Sequence, residues 1–208
     1  MQVTETICQA LMKGRAPEVK QLVEKALAEG VAPAKILNEG LLQGMGIIGD
    51  KFKKNEVYVP EVLIAARAMK AGMAVLKPKL AAAGHQPLAT AVIGTVKGDL
   101  HDIGKNLVGM MLEGAGLRVV DAGIDVSPER FVQLAKENKA QVIGVSALLP
   151  TTMTNMKLVV DAVKEAGVKV KVMVGGAPLT QAFCDEIGAD GYAPAAASAA
   201  DLARKLVA

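Results

Sequence analysis

Ala89-Thr90-Ala91-Val92-Ile93-Gly94-Thr95-Val96-Lys97-Gly98-Asp99-Leu100-His101-Asp102-Ile103-Gly104-Lys105-Asn106 is the stretch on which the fold turns. Ala89 to Val96 is a short apolar run with β-branched side chains, which predicts a strand buried on both faces. A glycine-rich loop follows, and a helix is predicted over 102–115. A strand that turns through glycines directly into a helix is the unit from which parallel α/β sheets are built.

Toward the C terminus the unit repeats. Further strands are predicted at Arg118-Val119-Val120, Val142-Ile143-Gly144-Val145 and Val168 to Val174, with a short fifth at Gly191-Tyr192. Helices fit at 128–138, 151–166, 179–187 and 195–207. The pattern predicts a Rossmann-like domain over 88–208, a five-stranded parallel sheet covered on both faces. Toward the N terminus the apolar period becomes 3.6. Val19, Leu22, Val23, Ala26 and Leu27 lie between Pro17 and Gly30; Ile36, Leu37, Leu41 and Ile48 follow Pro33; Val62, Ala66, Met69, Met73, Leu76 and Leu80 follow Pro60. With a shorter helix before Gly14, this predicts a four-helix bundle over 1–84. Met69 and Met73, one turn apart, read as core. Ala83-Gly84-His85-Gln86-Pro87 marks the boundary and a possible hinge.

Composition narrows the function classes. The 208 residues are 51% hydrophobic, enough for two cores without staples. The 24 basic and 21 acidic residues are scattered and aromatics are 2%, which argues against a nucleic-acid partner. The two cysteines, Cys8 and Cys184, stand far apart, so no disulfide framework or zinc knuckle is expected. No signal-peptide pattern opens the chain, and the longest uncharged run, Ala140 to Met156, is broken by Gly, Pro, Ser, Thr and Asn. A cytoplasmic protein without a membrane span is the expectation.

Ligands of parallel sheets bind at the carboxyl ends of the strands. There, His101 is a candidate transition-metal ligand, and Asp99, two residues away, is placed to accept its other N–H. Taken alone, the run is equally compatible with a solvated loop histidine near a helix N-cap. After strand three the chain reads Ser146-Ala147-Leu148-Leu149-Pro150-Thr151-Thr152, and after strand four Gly175-Gly176-Ala177-Pro178. Ser146 can hydrogen-bond to Asp99 or to a ligand, and the paired glycines permit close backbone approach.

Together, Asp99 to Gly104, Ser146 with Leu148, and Gly175-Gly176 resemble the cobalamin-binding signature D-x-H-x-x-G, S-x-L and G-G. The spacing agrees as well, with 41 residues between Gly104 and Ser146 and 26 between Leu148 and Gly175. The segment Gly44 to Val62, including Phe52, Asn55-Glu56 and Tyr58-Val59, resembles the helical cap of corrinoid proteins from anaerobic methyltransferase systems. The resemblance implies a cobalamin or related corrinoid held base-off and histidine-on. His101 is then the cobalt axial ligand, and the cofactor's nucleotide tail threads into the Rossmann-like domain. It further implies a relay from His101 through Asp99 and Ser146, and contacts to the cofactor from Gly98, Leu100, Asp102, Ile103, Gly104, Leu148, Gly175 and Gly176. Thr151, Tyr192 and Ala193 are further candidates for the tail. Relatives commonly carry an acidic residue after Tyr-Ala-Pro, where this chain has Ala195, so that contact is not carried over.

The implied function is methyl carriage. A donor-specific methyltransferase loads a methyl group onto Co(I), an acceptor methyltransferase delivers it to tetrahydrofolate or a thiol, and a reductive activase restores the cofactor. The chain is expected to catalyse nothing alone, with the helical half acting as an apolar lid that moves between states. Other readings are a radical-mutase subunit, which shares the signature, and a cobalamin sensor, for which there is no DNA-binding segment. His101-Asp102 also matches the dipeptide of HD phosphohydrolases, but that fold needs several histidines and His85 is the only other one. Gly94, Gly98 and Gly104 do not follow the dinucleotide pattern G-x-G-x-x-G.

Overall fold

Glycines and prolines punctuate the first half as the sequence suggests. In the computed structural model, which describes residues 2–208, α1 (Val3–Met12) and α2 (Ala16–Ala28) are separated at Gly14, whose φ is +68°, and α2 stops at Gly30, φ +79°. Pro33 opens α3 (Pro33–Lys35), which continues through a π-helical stretch (Ile36–Leu42) into α4 (Gln43–Lys53). The third predicted helix is thus one continuous rod with a π insertion. Along it, Gly40 lies against Ile7 and Gly44 against Leu11; a Cβ at either position would stand 3.0 Å from that side chain. The last helix is α5 (Val59–Ala82), with a proline in its first turn. The Glu61 carboxylate accepts the Tyr58 N–H at 3.0 Å. Ile7, Leu11, Val19, Val23, Leu41 and Leu76 are fully buried, and this unit ends at Pro87.

The second unit, Leu88–Ala208, carries β1 (Thr90–Thr95), β2 (Arg118–Asp121), β3 (Val142–Ser146), β4 (Lys171–Gly175) and β5 (Gly191–Ala193). All pair in parallel, in the order β2-β1-β3-β4-β5. Every residue of β1 is buried, whereas the edge strand β2 exposes Arg118 and Asp121. α6 (Ile103–Gly114) and α11 (Ala196–Val207) pack together on one face; α7 (Pro128–Asn138) packs with α9 (Asn155–Glu165) on the other, beside α10 (Gln181–Ile187). Ser127 caps α7 by accepting the Arg130 N–H, and Thr180 caps α10 by accepting the Phe183 N–H.

Two predicted bounds move. The helix expected over 151–166 is broken into α8 (Pro150–Met153) and α9, and the strand expected from Val168 begins only at Lys171. The chain direction across the sheet reverses between β1 and β3, which opens a crevice at their carboxyl ends. Thr95, Ser146, Gly175 and Ala193 stand in register there. Among the described residues, no helix is long and apolar enough to cross a membrane.

Candidate functional site

Between β1 and α6 the loop doubles back at Gly98, whose φ of +82° suits glycine. The turn drives Asp99 beneath the loop, where it is 1% exposed, and leaves the His101 side chain about half exposed at 51%. A buried carboxylate must have its lone pairs occupied, and four donors converge on this one. Oδ1 accepts the His101 backbone N–H at 3.0 Å and the His101 Nδ1–H at 2.7 Å. Oδ2 accepts the Leu148 N–H at 2.8 Å and the Thr152 hydroxyl at 2.6 Å. Burial alone would raise the Asp99 carboxyl, but the bonds from Thr152, the two backbone amides and the imidazole outweigh it and hold it well below the usual carboxylate range.

An ionised Asp99 can only accept, so Nδ1 carries the proton and Nε2 keeps its lone pair. Among the described residues Nε2 makes no hydrogen bond. The backbone is fixed as firmly: Thr95, fully buried, donates its hydroxyl to the His101 carbonyl at 2.8 Å. The β2–α7 loop grips from outside. Asp125 accepts the Gly98 N–H at 2.8 Å and the Lys97 ammonium at 3.0 Å, and its own N–H donates to the Asp99 carbonyl at 3.1 Å. The Gly98 amide and the Lys97 ammonium lower its carboxyl pKa.

His101 stands at the edge of a cleft of about 690 Å3 between the sheet edge and helices α6 and α11. Asp102, Gly104, Ser146, Gly175, Gly176 and Ala193 also line it, as do Leu100, Ile103 and Leu148, apolar side chains left 67%, 79% and 42% exposed. At Gly176, φ is +143° and a Cβ would lie 1.9 Å from the Ala147 carbonyl oxygen, so only glycine fits.

Other predicted residues are placed differently. The relay expected through Ser146 runs instead through Thr152: the Ser146 side chain lines the cleft and makes no hydrogen bond among the described residues. Strand alternation carries Ser146 onto the α6 side of the sheet, while the turn into α8 brings Thr152 under Asp99. The neighbouring candidate Thr151 is exposed and outside the cleft lining. Tyr192 is also outside it and donates its hydroxyl to the Leu179 carbonyl at 2.9 Å. Gly98 shapes the loop rather than lining the cleft. Sequence reading missed Thr95, Asp125 and Thr152.

Two models described as B12 binding domains match, one over residues 89–201 and one over 3–77. The chain is 40% identical to a corrinoid protein of Desulfitobacterium hafniense, covering 100% of this chain and 98% of that protein. The chain belongs to the B12-binding corrinoid protein family. Other corrinoid proteins similar to it include dimethylamine corrinoid protein 3 of Methanosarcina acetivorans, 43% identical over 97% of this chain and 95% of that protein. Trimethylamine corrinoid protein 1 of the same organism is 46% identical over 85% and 83%. Among solved structures, the methanol:cobalamin methyltransferase complex of Methanosarcina barkeri superposes with a TM-score of 0.90 at 30% identity, covering 99% of this chain and 79% of that one. A cobalamin-binding protein from Desulfitobacterium hafniense gives a TM-score of 0.81 at 30% identity, over 100% of both chains.

The residues of this corrinoid protein suit the cofactor on their own chemistry. A neutral imidazole nitrogen with a fixed tautomer is a donor for a transition metal, apolar side chains flank it, and an open cleft adjoins it.

Proposed function

We propose that this chain is a methyl carrier, holding a corrinoid base-off through His101 Nε2 and passing a methyl group between two methyltransferases. The observation that carries the reading is the buried Thr152–Asp99–His101 chain, which ends in an uncommitted imidazole nitrogen beside the cleft. The corrinoid supplies a cobalt that takes up a methyl group and gives it up. The protein's own residues set the conditions for that chemistry.

Asp99 orients His101 and supplies negative charge beneath it, which favours a stronger metal donor at Nε2. Thr152 and the Leu148 amide hold the far oxygen of Asp99, so the carboxylate keeps its orientation beneath the imidazole. Leu100, Ile103 and Leu148 offer exposed apolar side chains near the imidazole, which would exclude water once a corrinoid covers them. The methylamine corrinoid proteins at 43% and 46% identity make methylamines the first donors to examine. A separate methyltransferase for the donor, one for a tetrahydrofolate or thiol acceptor, and a reductive activase complete the system.

The test loads the protein with reduced cobalamin and offers radiolabelled dimethylamine, trimethylamine or methanol with candidate methyltransferases. Label should elute with the corrinoid protein only when a donor and its methyltransferase are both present. Cobalamin binding without labelling by any pair, together with radical rearrangement in the presence of a mutase barrel, would overturn the carrier reading in favour of the mutase subunit.

A further inference from the structure

The floor of the cleft has a composition that the carrier chemistry does not explain. On the α6 and α11 face of the sheet, Ile93, Gly144 and Met173 stand side by side in register, one row below Thr95, Ser146 and Gly175. Gly144 brings no side chain to that row, and Ile93 Cγ2 stands within 3.3 Å of where a Cβ would lie, so a larger residue there would push Ile93 toward the cleft. Leu107 and Val108 of α6 and Ala199 of α11 line the same space. The result is a slot between the sheet and two helices, walled largely by hydrocarbon.

Its polar side chains are almost all committed. Lys105, 4% exposed, donates to both Asp121 oxygens at 2.7 Å. Asp102 accepts from the Asn106 amide at 3.0 Å, and His101 Nδ1 is held by Asp99. Beyond His101 Nε2, the Ser146 hydroxyl is the one lining side-chain group that makes no hydrogen bond among the described residues.

In the carrier reading the tail enters this cleft, and we propose that the slot selects a benzenoid lower base, a benzimidazole or a phenol, over a purine. The proposal rests on the reading above that His101 displaces that base from cobalt. A purine brings several ring nitrogens and, in adenine, an exocyclic amine into the slot, and one hydroxyl cannot satisfy them all. Polar groups buried without partners lower affinity, whereas an apolar wall distinguishes methylated rings only weakly. Against a benzimidazole, detachment from cobalt does not mimic the effect: adenine is the weaker cobalt ligand and leaves more readily, so that bias favours the purine, whereas a phenol does not ligate cobalt and carries no detachment cost.

The experiment titrates the full-length apoprotein with cobinamide, which lacks the nucleotide, and with dimethylbenzimidazolyl, cresolyl and adeninyl cobamides, reading dissociation constants from visible absorbance. The benzenoid forms should bind more tightly than cobinamide, and the adeninyl form at least about tenfold more weakly than the benzimidazolyl form, the comparison in which the cost of leaving cobalt works against the expected order. Gly144→Ala should weaken all base-bearing forms while cobinamide binding, which also reports that the variant has folded, stays unchanged. An adeninyl cobamide within about twofold of the benzimidazolyl form overturns the selectivity. Cobinamide binding as tightly as cobalamin overturns instead the placement of the tail in the cleft, and with it the underlying reading.

Discussion

Asp99→Asn changes one atom, yet the structure leaves no good orientation for the amide. Each carboxylate oxygen accepts a backbone N–H, from His101 on Oδ1 and from Leu148 on Oδ2. Wherever the amide NH2 points, it therefore faces a fixed donor. With the NH2 at the Oδ2 position, Thr152 can rotate to accept but the Leu148 N–H loses its partner. With the NH2 at Oδ1, His101 can respond only by accepting at Nδ1, which moves its proton to Nε2 and removes the metal-binding lone pair. Losing charge-assisted bonds and orphaning one buried N–H together cost about 2–4 kcal/mol. That corresponds to a fall of roughly 5–15 °C in the melting temperature of the apoprotein by scanning calorimetry. The pH dependence has a definite sign. The Asp99 carboxyl is depressed in the folded state, so its contribution is fully present above the unfolded-state value of about 4 and is lost as the pH falls below it. The gap between wild type and variant should therefore close only under acid conditions. A variant that melts within about 1 °C of wild type at neutral pH, against the expected change, would refute the four-donor account of the site.

Other outcomes follow from the same geometry. Thr152→Val should lower unfolding stability by about 1–2 kcal/mol and corrinoid affinity by about tenfold, with Thr152→Ser restoring both. Ser146→Ala, outside the relay, should leave the melting temperature of the apoprotein in place. Asp125→Ala should loosen the His101 loop and weaken corrinoid binding several-fold. Asp125→Asn should rescue much of the loss, because asparagine tolerates the left-handed φ of +52° and still accepts the Gly98 N–H. Gly176→Ala, whose Cβ would collide with the Ala147 carbonyl, should destabilise the apoprotein by about 2–4 kcal/mol in thermal melts and abolish cobalamin binding.

The parallel sheet was legible because buried strands are continuous apolar runs and their loops must emerge at one edge, so the glycines, Ser146 and His101 could be expected together. Asp99 beside His101 was legible from a separation of two residues. The other partners of Asp99 were not. Ser146 has the right chemistry but lies on the wrong side of β3, and only the three-dimensional turn into α8 shows that Thr152 reaches the carboxylate. Asp125 gave no signal either, since its left-handed backbone and its grip on Gly98 involve residues distant in sequence. In the helical half, a 3.6-residue period located the rods but could not reveal the π stretch Ile36–Leu42, which inserts extra residue into the turn without breaking the apolar stripe.

The claim on which everything else depends is that His101 Nε2 is the lower ligand of cobalt. The chain has two histidines, so protein grown on heavy-nitrogen histidine and reconstituted with unlabelled cob(II)alamin marks the imidazoles alone. Electron paramagnetic resonance then reads the axial nitrogen directly. With His101 bound, the nitrogen splitting of the cobalt lines changes from a triplet in unlabelled protein to a doublet in labelled protein, and the doublet disappears in His101→Ala. A triplet that persists in the labelled protein would show that the cofactor's own base still holds the metal, and would contradict the account.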